Sequence, residues 1–154
     1  MDATALARQA LETIPANQLC DLRVLSATDG VATVGVEVTP RLTNGIGSLH
    51  SGGLISLIDA AGLAALLSCA SKLEQTQDVL PLGSDADLTF FAPARGTLVA
   101  RCVLDDDAVR LAGSLFRGES DRIALLTDAE VVDAEGTVVC TGRFRWQVKR
   151  LAGV

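Results

Sequence analysis

The chain has no tyrosine, a single tryptophan, four phenylalanines and a single histidine. So few rings leave base-stacking platforms poorly supplied. Lys and Arg number 13 against 19 Asp and Glu, a formal net charge of −6. That balance argues against a nucleic-acid partner, whose phosphates need clustered cations. The four cysteines, Cys20, Cys69, Cys102 and Cys140, are scattered singly with no CxxC pair. With His50 as the only histidine they make no familiar zinc set, and no metal site is expected. A serine triad is also unsupported: there is no GxSxG elbow, and Ser51 is the immediate neighbour of the only histidine. No P-loop is present, and Gly45 and Gly47 do not fit GxGxxG, so no nucleotide cofactor is expected. The N-terminus lacks a basic segment followed by an apolar one, so no signal peptide is expected. The cysteines read as small buried hydrophobes in a reducing compartment, which predicts a cytoplasmic location.

What the chain does have is aliphatic bulk: 154 residues, 49% of them hydrophobic. This suits one domain over residues 1–154 with a real core. The most apolar run, SGGLISLIDAAGLAALLSCAS, contains one ionisable acid or base, Asp59. An all-round apolar helix is normally buried. A carboxylate inside it is costly unless it has a task. Gly52–Ser71 has the length of a membrane span, but Asp59 near its middle would cost roughly 2.5–3.5 kcal/mol. A buried core helix from about Gly52 to about Leu73 is therefore expected, with no membrane partner.

Residues 2–14 carry apolar side chains at helical spacing up to Pro15. A hairpin follows, turning at Asp29-Gly30 and ending at Pro40. After the apolar helix come strand-like stretches at 85–93, 96–104, 122–133 and 137–150, with turns at Arg95-Gly96 and at Ala134-Glu135-Gly136. Residues 105–118 read instead as a short amphipathic helix, capped by Asp105 or Asp106 and closed by Gly118. One helix among many strands predicts an α+β fold with an antiparallel sheet.

The pattern Asn44-x-x-Gly47-x-x-His50-x-Gly52, with Asp59 nine residues beyond the histidine, resembles the hotdog-fold acyl-CoA thioesterases of the PaaI-like, phenylacetate-pathway type. Asp87 to Gly96 resembles that family's strand ending in P-A-x-x-G, and Glu130 to Gly136 is similar to its closing strand pair. The resemblance implies a curved antiparallel sheet wrapped around a long central helix. Here an N-terminal helix and the inserted helix would be additions. It implies a homodimer or a dimer of dimers, and hydrolysis of an acyl-CoA substrate. Carried onto this sequence, Asp59 is the general base or nucleophile. The N–H groups of Ser51 and Gly52 stabilise the oxyanion, and His50 and Asn44 shape the site.

Physical distances add a constraint. At 1.5 Å per residue, Asp59 lies roughly 10 Å along the helix from its start, while reacting groups must approach within about 3–3.5 Å. One chain cannot join the two, so two chains facing each other are expected. Gly53, Ser84 and Arg95 are candidate substrate contacts. Arg143 and Arg145 could also meet CoA phosphates, and Trp146 reads as packing. Ser51 stands where the family has a glycine. That departure and the 105–118 insertion keep a second reading open, a non-catalytic acyl- or CoA-binding hotdog protein. A dehydratase or hydratase on the same fold ranks behind both.

Overall fold

The computed structural model describes residues 2–152. Helix α1 spans Ala3–Leu11, with the Asp2 carboxylate accepting from the Ala5 N–H at 2.8 Å. The helical pattern expected to run to Ile14 stops at Leu11. Pro15 does not merely end it; it opens a short helix α2, Pro15–Leu19. A proline is tolerated there because the first-turn N–H groups have no helical acceptor in any case. Strands β1, Arg23–Thr28, and β2, Val31–Glu37, form the expected hairpin. Its turn holds Asp29 at φ 47° and Gly30 at φ 81°, the left-handed pair that matches the twist of the strands.

The central helix α3 runs Ser51–Leu67, shorter than the sequence suggests. It stops because Ser68 is used elsewhere: its hydroxyl donates to Ala65 O and accepts the Gly30 N–H at 2.8 Å, tying the hairpin turn to the helix end. Gln75 Oε1 then takes the Ser71 and Lys72 N–H groups, leading into the short helix α4, Glu74–Gln77. Strand β3 begins at Val79, not near Asp85, and runs to Phe90. Pro81 lies inside it, which is possible because β3 is an edge strand that, among the described residues, pairs only with β6. Strands β4, Thr97–Val103, β5, Arg122–Val132, and β6, Val138–Arg150, complete the sheet, and α5, Asp106–Phe116, joins β4 to β5.

The six strands are antiparallel in the order β1-β2-β4-β5-β6-β3, a curved, unclosed sheet around α3. Alternate residues of β5 point inward, Ile123, Leu125, Thr127, Ala129 and Val131. Each large aliphatic side chain so buried contributes roughly 1.5–3 kcal/mol. Two glycines let α3 lie close. A Cβ on Gly62 would fall 2.5 Å from Thr127 Oγ1, and one on Gly142 would fall 2.8 Å from Ile58 Cδ1. Trp146, as expected, packs: it stacks on Phe144 and donates to Thr127 Oγ1 at 2.9 Å.

Helix α5 is formed as the sequence predicts, with Asp105 accepting the Ala108 N–H at 2.7 Å and Gly118 at φ 77°. It buries Ala108, Ala112, Leu115 and Phe116, and Arg150 donates to its last carbonyls, Leu115 O and Phe116 O. Val109 lies over Gly30, the glycine bonded to Ser68 beyond the C-terminal end of α3. In its own chain α5 therefore pads the end of the core remote from the helix start. No helix among the described residues is long and apolar enough to cross a membrane.

Candidate active site

The segment before α3 is held as a rigid loop. Asn44 Oδ1 accepts the N–H groups of Ile46 and Ser48, both at 3.1 Å, and Gly47 sits at φ 74°. Ser48 is buried, and its hydroxyl accepts the Ala94 N–H at 2.8 Å. Leu49 N–H donates to Ala94 O at 2.7 Å. Arg95 reaches back to Ile46 O at 2.8 Å. The loop is thus bolted to the turn that follows β3. Ser48 was missed by sequence reasoning, since nothing in its neighbourhood separates it from the other polar loop residues.

His50 is the N-cap of α3. Its Nδ1 accepts the Gly52 N–H at 3.0 Å. A neutral ring in that bond carries its proton on Nε2. The Gly53 and Leu54 N–H groups donate to His50 O. The Ser51 N–H, by contrast, finds no acceptor among the described residues. It points from the positive end of the helix, where anionic oxygen is stabilised. Gly53 has its own packing reason, because a Cβ there would come within 2.6 Å of Leu49 Cδ1.

A cleft of about 370 Å³ opens at this helix start, and its lining includes Asn44, Ile46, Ser51, Leu54, Phe90 and Phe91. Ile46, Phe90 and Phe91 are among the most exposed large apolar side chains of the protein, at 65%, 52% and 61%. The cleft brings Asn44 and Ser51 together. Asp59, Gly52, Gly53, Ser84 and Arg95 are not in its lining.

Asp59 lies two turns along α3, half-buried, and its carboxylate takes part in no hydrogen bond or ion pair among the described residues. Burial alone pushes its carboxyl from 3.8 up to about 6, because the charged form loses water and gains no partner. Such a group is poised as a base near neutral pH. Three of the thiols are poor rivals as nucleophiles: burial pushes Cys69 up to about 11, Cys102 up to about 12 and Cys140 upward as well.

The remaining candidates lie elsewhere. Ser84 sits at the bulge of β3 and donates to Arg145 O at 3.2 Å. Arg143 grips Asp128 through two bonds of 2.7 and 2.9 Å, and Arg145 approaches Asp85 at 3.2 Å. All four of these charged groups are exposed.

An open antiparallel sheet wrapped around one long helix is the hotdog fold of the thioesterase superfamily. A Pseudomonas aeruginosa protein described as a probable thioesterase superposes with a TM-score of 0.77 at 25% identity, over 96% of this chain and 95% of its own. The Escherichia coli PaaI protein from the phenylacetic acid degradation operon gives 0.67 at 22% identity, with 93% of each chain covered. In sequence, the chain is 31% identical over 152 residues to a Halobacterium salinarum protein named "Putative esterase", covering 97% of this chain and 94% of that one. The chain belongs to the family described as a domain of unknown function, DUF4442, which matches residues 6–148.

Proposed function

We propose that the protein hydrolyses an acyl-CoA thioester to the free acid and CoA, at a site built by two copies of the chain. The observation that carries this reading is Asp59, a half-buried carboxylate without a partner, raised to about 6 on an otherwise apolar helix. The same helix begins at a cleft with an unengaged N–H. The esterase and thioesterase names of the relatives support the same class of chemistry.

In the proposed reaction the thioester carbonyl sits at the Ser51 N–H of one chain, and Asp59 of the second chain faces its carbon. As general base, Asp59 takes a proton from water, and the resulting hydroxide adds to the carbonyl. The oxyanion is held at the helix start, the C–S bond breaks, and the thiolate leaves and is protonated. As nucleophile, Asp59 would add directly and water would hydrolyse the resulting anhydride. Gly52 contributes through His50, since its N–H is held by the imidazole and keeps the helix start in place. Asn44 holds the loop, Gly53 permits its close packing, and Arg95, braced on Ile46, is the proposed cation for a CoA phosphate. Ser84 is proposed to bind the attacking water in the assembled pair.

A thioester panel read by thiol release, on wild type and Asp59→Asn, tests this. Turnover that survives the substitution removes the proposal. The occupied Gly52 N–H and the Cβ of Ser51 favour one alternative, a protein that binds acyl-CoA without cleaving it. Saturable binding with no thiol released across the panel selects that alternative.

A further inference from the structure

A partly exposed stripe of α3 bears on how two copies would meet. Ser51, Ile55, Asp59, Leu63 and Leu67 recur every fourth residue, and none of them is buried, whereas Leu54, Leu57, Ile58, Ala60 and Ala61 between them are. Ile55 is 41% exposed, an isoleucine open to water in the most apolar helix of the chain. Along this stripe lie two complementary charges: the positive helix end at Ser51 and, about 12 Å further on, the Asp59 carboxylate. The turn of α3 that holds Asp59 lies over β6, the strand next to the edge strand β3. A Cβ on Gly142 of β6 would touch Ile58 Cδ1 at 2.8 Å and Leu88 Cγ of β3 at 3.0 Å. Among the described residues β3 pairs only with β6, so its other edge is open. An open, twelve-residue edge with Leu80, Leu82 and Phe90 exposed is a surface that calls for a partner.

Both complementary charges are satisfied at once by a twofold axis that runs across α3 and sets Ser51 of each copy opposite Asp59 of the other. The position midway between 51 and 59 is 55. We infer that Ile55 packs against Ile55 of the partner subunit on that axis and forms the wall shared by the two catalytic sites, which makes it a specificity-determining residue. This rests on the two-chain reading of the proposed function. Each site then lies within about 6 Å of the axis along the helix, so one side chain borders both.

Cysteine bridging tests the register. Ile55→Cys, oxidised with copper-phenanthroline, is expected to give a covalent dimer whose peptide map contains a 55–55 bridge absent from wild type. Ser51→Cys and Asp59→Cys are expected not to bridge to themselves. Co-expressed, the two are expected to bridge to each other. A dimer by sedimentation that lacks the 55–55 bridge overturns this inference and leaves the two-chain enzyme standing. A monomer that still releases thiol overturns the two-chain reading itself. The wall is tested by Ile55→Ala on acyl-CoAs of graded length. The ratio of kcat/KM between long and short acyl groups should rise roughly tenfold or more, the scale of one or two methylenes in an apolar pocket. An unchanged ratio overturns the specificity role.

Discussion

Asp59→Asn keeps the shape of the side chain and removes its charge, so stability and activity should move in opposite directions. A carboxyl raised from 3.8 to about 6 disfavours the ionised native state by ~3 kcal/mol. Asp59 is only half-buried, and water trims this to ~2 kcal/mol. In an assembled pair the facing helix start returns a further ~0.3–1 kcal/mol, which reduces the effect without reversing it. The sign follows from proton counting. Between 3.8 and about 6 the native chain holds the Asp59 proton while the unfolded chain has lost it. Stability therefore falls as pH rises through that window and stays low above it. The Asn variant does not titrate. It should match wild type below pH 3.8 and exceed it above pH 6 by roughly 4–8 °C in Tm at ~2 kcal/mol. Calorimetry at pH 4, 5, 6 and 8 reads the gap. Over the same range wild-type kcat should rise with pH through about 6 as Asp59 ionises, and the variant should lose roughly 10²–10⁴ in kcat. A variant less stable than wild type at pH 8, or a gap that does not change with pH, would refute the reasoning, because Asp59 would then have a partner that stabilises its charge.

Substitutions at three other positions probe the surroundings. His50→Ala removes the acceptor for the Gly52 N–H and should cost about 1 kcal/mol in urea unfolding, most of it recovered by His50→Asn, a good N-cap. Ser48→Ala leaves the buried Ala94 N–H without its acceptor. It should cost roughly 1–3 kcal/mol, and KM should rise more than kcat falls as the cleft loop loosens. Thr127→Val strands the indole N–H of Trp146, at roughly 1–3 kcal/mol; as Trp146 is the sole tryptophan, its emission maximum should shift in the folded protein.

What could be read in the sequence was whatever a short stretch settles by itself. The turns at Asp29-Gly30 and Gly136 were legible because a left-handed backbone demands such residues, and both glycines have positive φ. Helix α5 was legible because Asp105 and Gly118 mark its ends. The end of α3 was not, since Ser68 is claimed by Gly30, 38 residues earlier. Nor was the start of β3: Pro81 reads as a breaker until the strand is known to lie at an edge. The site divides along the same line. Asp59 stood out as the one acid in an apolar helix, and the loop before it by its spacing. The capping role of His50 needed the ring's orientation, and that of Ser48 needed the turn at Ala94, both settled by tertiary contacts. The catalytic pairing is a further step removed. Both halves of the proposed site are printed on one helix, yet its rise keeps them about 12 Å apart, so their proposed meeting depends on a surface that no local pattern encodes. The signs of that surface are negative ones: a carboxylate without a partner, an isoleucine open to water, and a strand with a free edge. Each is unfavourable in an isolated chain, and the proposed two-chain assembly would answer them with a single second copy.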